Sequence, residues 1–401
     1  MIKSINNPKP INLVMLGGFL YPHGMASTDH VQDLLDGLRL LPEVTPRVIV
    51  LRQSSRDNEP AGIHQGVPYE TVMQNLLRAK ALLWAPVFLH KARQTIDRAW
   101  RLNQYNVLCV YGPPSLDNIS VIKHARCRGF KVVFYIVEDD DVAGGVSRSP
   151  WHRWTNRTIR QATQRIGTLT DGIMVISSRL QTKFEAITQG QIPLHLLPIT
   201  VNLDRWLPTC HGFGETVTLF YAGSFGFKDG VPVLIEAFDQ LASRHDHLRL
   251  VLAGKGNSED MQTTFARMKA SAYAQRITYT GYLNEEAFQA ALSAADILCM
   301  TRIDHPYAQA GFPFKLGQYL ATAKPVIAST VSDVPQWLQH RQSALLVKPG
   351  NVDDIVQSVE ILLRHPSEAV AIGQRGREVA RHGFCHKKLA QDMIHFMQSM
   401  G

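Results

Sequence analysis

Apolar positions along the chain fall into short unbroken runs separated by stretches with a helical period. Residues 11–16 are one such run, closed by Gly17-Gly18, and over 29–40 Val31, Leu34, Leu35 and Leu38 recur at the spacing of one helical face. This reads as strand, glycine loop, helix. The alternation continues through strands expected at 47–51, 107–111, 131–137 and 173–176, with a helix over 119–128 and a helical stretch leading to Gly167. Strands apolar on both faces and separated by helices imply a parallel sheet covered on both sides.

A second series starts after residue 215. It comprises expected strands at 217–222, 248–253, 277–280, 297–300, 325–328 and 344–347, with helices over 231–241, 285–294 and 315–323. Between the series, 197–215 carries Pro198, Pro208, Gly212 and Gly214, the turn chemistry of a linker. The expected fold class is therefore α/β, with two doubly wound, Rossmann-like parallel-sheet domains facing a cleft, the usual place for a ligand. The domains are read as 1–205 and 206–380. Helices at 352–363 and 389–400 follow, and the closing segment 381–401 is expected to pack back toward the N-terminal domain.

Composition narrows the function classes. The chain of 401 residues is 45% hydrophobic and 19% charged, ordinary for a globular protein of two domains. Its net charge is +8, and the whole excess lies in 1–210, which holds 24 Lys and Arg against 16 Asp and Glu, whereas 211–401 holds 18 of each. An anionic partner is favoured, but the basic residues spread over a whole domain without a reader motif, which disfavours nucleic acid. Five cysteines with no Cys-x-x-Cys spacing suggest neither disulfide framework nor zinc site, and a cytoplasmic location fits best. The longest apolar run, 81–89, has nine residues including Pro86, too short to span a bilayer. Lys3 and Lys9 ahead of 11–20 mimic a secretory signal, but that stretch also reads as a buried strand entering a glycine turn.

Two clusters stand out for chemistry. In 220–230 (Phe-Tyr-Ala-Gly-Ser-Phe-Gly-Phe-Lys-Asp-Gly) a strand runs into a glycine-rich loop with Lys228 and then a helix. Backbone N–H groups of such a loop, the helix N-terminus and the ammonium together suit a diphosphate, while the plainer reading is a strand-to-helix turn with a solvated lysine. In 310–320 (Ala-Gly-Phe-Pro-Phe-Lys-Leu-Gly-Gln-Tyr-Leu) another turn enters a helix that carries Lys315 and Gln318 one turn apart on one face. By itself this too is compatible with a plain turn.

Taken together, these clusters resemble the nucleotide-sugar-dependent glycosyltransferases of the GT-B fold, glycosyltransferase family four. Supporting matches are Leu250-Val251-Leu252-Ala253-Gly254-Lys255-Gly256, Gly281-Tyr282-Leu283, Ala294-Ala295-Asp296-Ile297-Leu298, Lys324-Pro325-Val326-Ile327-Ala328-Ser329, and the linker from Leu197-Pro198 through Asp204 to Pro208. The resemblance implies that Lys228 contacts the donor diphosphate, with Gly223 and Ser224 in its loop, and that Tyr282 and Leu283 line the base pocket. It implies that Gly311, Phe312, Pro313, Phe314 and Lys315 hold the pyrophosphate and sugar, and that Gly17 and Gly18 approach the donor from the other domain. Two departures matter. Ala310 and Gln318 stand where the family often has two Glu residues, the second of which usually grips the ribose hydroxyls; Gln318 keeps the hydrogen-bonding capacity and loses the charge. Ser224 stands where an Arg is frequent.

The implied activity is a retaining hexosyl transfer from a nucleotide-sugar, UDP- or GDP-linked, to a glycan or lipid-linked acceptor in bacterial cell-surface polysaccharide or glycoconjugate biosynthesis. Lys228 and Lys315 supply charge to the leaving diphosphate without metal or other cofactor. The alternatives are a catalytically weakened partner subunit, or another GT-B enzyme such as a nucleotide-sugar epimerase. For Glu138-Asp139-Asp140-Asp141 three readings stand: Glu138 or a neighbour orients the acceptor or donor sugar, Asp139 and Asp141 bind a divalent metal, or the run is a solvated, ion-paired loop. Basic and aromatic residues interleave in 75–102 and 148–165, which suits peripheral attachment to an anionic membrane surface as well as it suits packing helices with solvated faces.

Overall fold

The computed structural model describes residues 9–24, 26–53, 58–74, 84–139, 150–209 and 212–400. The chain divides into two compact units, Met1–Pro198 with His386–Gly401, and Ile199–Cys385.

The first unit is built on an eight-stranded sheet in the order β3-β4-β2-β1-β5-β6-β7-β8. Its strands are β1 (Ile11–Gly17), β2 (Val44–Gln53), β3 (Ala61–His64), β4 (Val67–Gln74), β5 (Tyr105–Tyr111), β6 (Lys131–Ile136), β7 (Gly172–Val175) and β8 (Leu194–Leu196). All neighbours run parallel except the β3–β4 hairpin. β1 is buried along its whole length, as a central strand covered on both faces must be. The last helix of the chain, His386–Ser399, belongs to this unit and packs on helix Ala26–Leu38. Gly37 allows the approach, since a Cβ there would lie 2.2 Å from the His386 carbonyl oxygen. The Tyr105 hydroxyl adds a bond to the Met397 carbonyl at 3.0 Å.

The second unit carries β9 (Val217–Gly223), β10 (Leu248–Gly254), β11 (Ile277–Gly281), β12 (Ile297–Met300), β13 (Val326–Ser329) and β14 (Leu345–Val347). They form an all-parallel sheet in the order β11-β10-β9-β12-β13-β14. In strand sequence within the unit this is 3-2-1-4-5-6, the doubly wound dinucleotide-binding order, whose winding reverses between β9 and β12. Leu219, Leu250, Leu252, Ile297, Cys299 and Ile327 meet Leu234, Phe238 and Val359 from the covering helices in one core.

The division falls earlier than the expected 205/206 boundary because 199–209 is fastened to the second unit. Val201 N–H donates to the Phe384 carbonyl at 2.8 Å, Thr209 N–H donates to Thr322 at 3.0 Å, and Arg377 reaches the Trp206 carbonyl at 2.8 Å. Val201 also bridges to Cys385, so the return to the first unit comes at His386 rather than at 381. Among the described residues no helix is long and apolar enough to cross a membrane.

Candidate functional site

In the second unit the glycine-rich loop leaves β9 at the point where the sheet order reverses. Gly230 closes it at φ +66°, and a Cβ there would stand 2.2 Å from the Thr301 carbonyl oxygen, so the position needs glycine for both conformation and space. Gly254, at the end of β10, is equally constrained: φ is +125° and a Cβ would lie 2.0 Å from the Gly223 carbonyl oxygen. The buried Asp229 carboxylate folds the loop upon itself, accepting from Ser224 Oγ at 2.6 Å and from the Gly226 N–H at 3.0 Å. Arg302 Nε lies 3.7 Å from its other oxygen. Ser224 and Asp229 thus shape the loop from within, and Lys228, half-buried, is carried on its short 3-10 turn Phe227–Asp229.

The segment that follows β12 is fastened against this loop residue by residue. Ile303 N–H donates to the Lys228 carbonyl at 3.1 Å. Lys228 Nζ stands 3.9 Å from the centroid of the Tyr307 ring, and the Phe227 and His305 rings meet edge-on with centroids 5.5 Å apart. His305 also caps the short helix Pro306–Ala310, its Nδ1 accepting from the Tyr307 N–H at 3.2 Å. No motif in the sequence marks these residues. The local signal is the Asp-His-Pro-Tyr turn four residues after β12, with Pro at the first helical position.

The second sequence cluster arrives at the same end of the same sheet. Gly311 ends the short helix, Phe312 is buried with its ring 5.7 Å from that of Phe384, and Pro313 leads into helix Phe314–Ala321. Tyr319 ties that helix to the last turn of β9: its hydroxyl accepts from Ala222 N–H at 2.7 Å and donates to the Ala222 carbonyl at 3.3 Å. Burial raises its pKa, keeping the hydroxyl protonated to bridge both groups. Lys315 Nζ lies 4.2 Å above the Phe288 ring. Gln318 is 7% exposed, and its Oε1 is buried with no hydrogen-bond partner among the described residues, as are Thr301 Oγ1 and Ser329 Oγ. The last two each follow the register pair Met300↔Ala328, so Thr301, just past β12, stands beside Ser329, the last residue of β13. Ala310 is fully buried. Tyr282 and Leu283 follow β11; the Tyr282 ring is exposed with Lys255 Nζ 4.9 Å from its centroid, and Leu283 is half-buried.

In the first unit Gly17 ends β1, and a Cβ on Gly18 would meet nothing within 4 Å among the described residues. The loop beyond is pinned by Asn58, whose side chain pairs with both the N–H and the carbonyl of His23 at 3.0 and 2.9 Å. His30 lies buried between two tyrosines, Nδ1 at 3.2 Å from Tyr111 Oη and Nε2 at 3.2 Å from Tyr135 Oη. Tyr135 donates to the carbonyls of Leu197 and Pro198 at 3.0 and 3.2 Å, so it accepts from His30 Nε2–H, and Nδ1 accepts from Tyr111. Burial brings the His30 pKa down to about 3, which keeps the ring neutral in that tautomer.

Glu138 is exposed just beyond β6. Asp139 is buried and paired with Lys183 Nζ at 2.5 Å, so its carboxylate is committed to holding helix Ser178–Thr188. Asp140 and Asp141 lie outside the described residues, and among those described no group of three His, Cys, Asp or Glu could hold a metal ion.

Residues 216–365 match the family described as glycosyl transferases group 1. A GDP-mannose-dependent alpha-(1-6)-phosphatidylinositol monomannoside mannosyltransferase of Mycobacterium tuberculosis is 26% identical over 251 residues, covering 60% of this chain and 64% of that protein. Mannosylfructose-phosphate synthase of Agrobacterium fabrum is 21% identical over 216 residues, 50% of this chain and 46% of the relative. The chain thus spans less than two thirds of these curated relatives. Among solved structures, sucrose-phosphate synthase from Thermosynechococcus elongatus aligns with 97% of this chain and 98% of its own, at TM-score 0.76 and 16% identity. Anabaena HepE in complex with UDP and glucose aligns at TM-score 0.70 and 12% identity, over 96% of this chain and 99% of its own.

Proposed function

The second unit belongs to the glycosyl transferases group 1 and the whole chain has the two-domain GT-B fold, and from that premise we propose that it transfers a hexosyl group from a nucleoside-diphosphate sugar to a glycan or lipid-linked acceptor. The observation that carries this reading is the Lys228-bearing glycine loop at the β9–β12 reversal, with Lys315 and Gln318 delivered to the same sheet end. Loop amides and the two ammonium groups offer a diphosphate its donors, and they stabilise the charge that develops on it as the glycosidic bond breaks, without a metal. Gln318, whose amide oxygen has no partner among the described residues, is the candidate for the ribose hydroxyls, Tyr282 and Leu283 for the base, and the Gly311–Phe314 turn for the sugar. Glu138 is assigned to orienting the acceptor or donor sugar. The anomeric configuration is retained. The names of the mycobacterial relative and of the HepE complex support a GDP- or UDP-linked donor. The test is incubation with UDP- and GDP-sugars and candidate acceptors, with the product's anomeric configuration read by proton NMR. Release of nucleoside diphosphate with a retained linkage supports the reading, and an inverted product or an epimerised donor overturns it.

The partner surface for a lipid-linked acceptor is the basic first unit, at the cytoplasmic face of a membrane. Residues 142–170 contain five Arg and no Asp or Glu. Within helix Pro150–Thr163 the exposed residues Arg153, Arg157 and Arg160 follow a spacing of four and three, one helical face, with Trp154 46% exposed beside them. Trp84 and Val87, 47% and 40% exposed, open helix Ala85–Ala99, which adds Lys91, Arg93 and Arg98. Flotation with vesicles of anionic lipid at low salt should carry the protein, less so at high salt; no flotation at low salt sinks the membrane assignment.

A further inference from the structure

The contact between Lys228 and Tyr307 makes a demand that the donor-site reading alone does not. A lysine side chain is rich in rotamers, and a binding site that leaves it unordered must order it each time the anion arrives. A carboxylate partner would order it while cancelling the charge that the diphosphate needs. An aromatic face orders an ammonium through its quadrupole and adds no opposite charge. Lys228 Nζ stands 3.9 Å from the Tyr307 centroid, and the same device recurs at Lys315, 4.2 Å above Phe288.

The placement of Tyr307 is itself fixed from both sides. Its own N–H is held by His305 Nδ1 at 3.2 Å, and His305 packs on Phe227, the residue before the lysine. Two residues on, the neighbouring Gln309 accepts from the Ser332 N–H at 2.8 Å, which ties the short helix to the segment after β13. The Lys228 backbone is bound to Ile303 on the same segment as Tyr307. Backbone and side chain of the lysine are therefore positioned by one stretch, 303–307, that crosses from β12.

We propose that Tyr307 is the positioning residue for Lys228, holding its ammonium in place to meet the diphosphate of the donor. This rests on the donor-site reading given above. The ring, not the hydroxyl, does the holding, so Tyr307→Phe retains the function and Tyr307→Leu loses it.

The test is calorimetric titration of UDP and GDP, and of uridine and guanosine as phosphate-free controls, into the full chain and four variants: Tyr307→Phe, Tyr307→Leu, Lys228→Ala, and the double variant with Leu at 307. Tyr307→Met serves as a second ring-free variant where Leu unsettles the fold, with thermal melting as the check. The expected results are a loss of about two- to fivefold in diphosphate affinity for Tyr307→Leu, none for Tyr307→Phe, and no further loss when the ring is removed from Lys228→Ala. The inference is overturned if Lys228→Ala weakens binding while Tyr307→Leu and Tyr307→Met do not, or if removing the ring costs the same with and without the lysine. A Lys228→Ala variant that binds like wild type overturns the donor-site reading and this inference with it, so the two failures are told apart.

Discussion

Acid should weaken the first unit through one buried side chain, His30. An ordinary histidine takes up its proton near pH 6.5, whereas burial between Tyr111 and Tyr135 brings the His30 pKa down to about 3. Below pH 6.5 the unfolded chain therefore binds a proton that the folded chain refuses, and stability rises with pH across the window between about 3 and 6.5. The contribution is fully present above 6.5 and is lost as pH falls. At pH 5, about 1.5 units below the unfolded value and well above the folded one, linkage sets the loss at about 2 kcal/mol. Carboxylates titrate in acid too, so the comparison is with His30→Gln, which keeps a donor and an acceptor and takes up no proton. Urea denaturation at pH 7 and pH 5, followed by circular dichroism, should show wild type losing about 2 kcal/mol more than the variant over that interval. Parallel losses would mean that His30 is protonated in the fold or open to water, and would refute the assigned tautomer.

Two further perturbations test the local architecture. Gly230→Ala places a Cβ 2.2 Å from the Thr301 carbonyl oxygen at φ +66°, so it should cost about 1–3 kcal/mol or more and weaken nucleotide binding by parting the Lys228 loop from the β12 segment; unchanged melting and affinity would contradict the clamp. Lys183→Met removes the ammonium 2.5 Å from the buried Asp139 carboxylate and should destabilise the fold by up to about 3–5 kcal/mol, which Asp139→Asn in the same chain should partly restore, as measured by thermal melting.

The three-residue β8 was too short to read, whereas the central parallel strands of both sheets were legible because each is an apolar run covered on two faces, and β9, β10, β12 and β13 appear within a residue or so of their expected places. The β3–β4 hairpin was not: Ala61–His64 is an exposed edge strand with a single alternation to offer, and only the Gln65-Gly66 turn marks it. Helix Pro366–Gly383 escaped for a different reason. Its inward face uses Gly373 and Gly376, where a Cβ would meet the Ala323 and Ser343 carbonyl oxygens at 2.0 and 2.8 Å, so close packing replaced the apolar stripe that periodicity detects. At the candidate site, Lys228, Lys315 and Gln318 were legible from glycine turns entering helices. Arg302, His305 and Tyr307 were hidden because they depend on β12 lying beside β9, a pairing of strands far apart in sequence that no local pattern states.

The proposed function requires that the Lys228 loop receive a nucleoside diphosphate. The most direct measurement is titration of UDP, GDP and ADP into the wild-type protein and Lys228→Ala. One nucleotide should bind, and the substitution, by removing a charge-assisted contact, should weaken it about 10- to 100-fold; a folded protein that binds none of the three, or a substitution without effect, would overturn the proposed donor site and favour a subunit that kept the fold without the reaction.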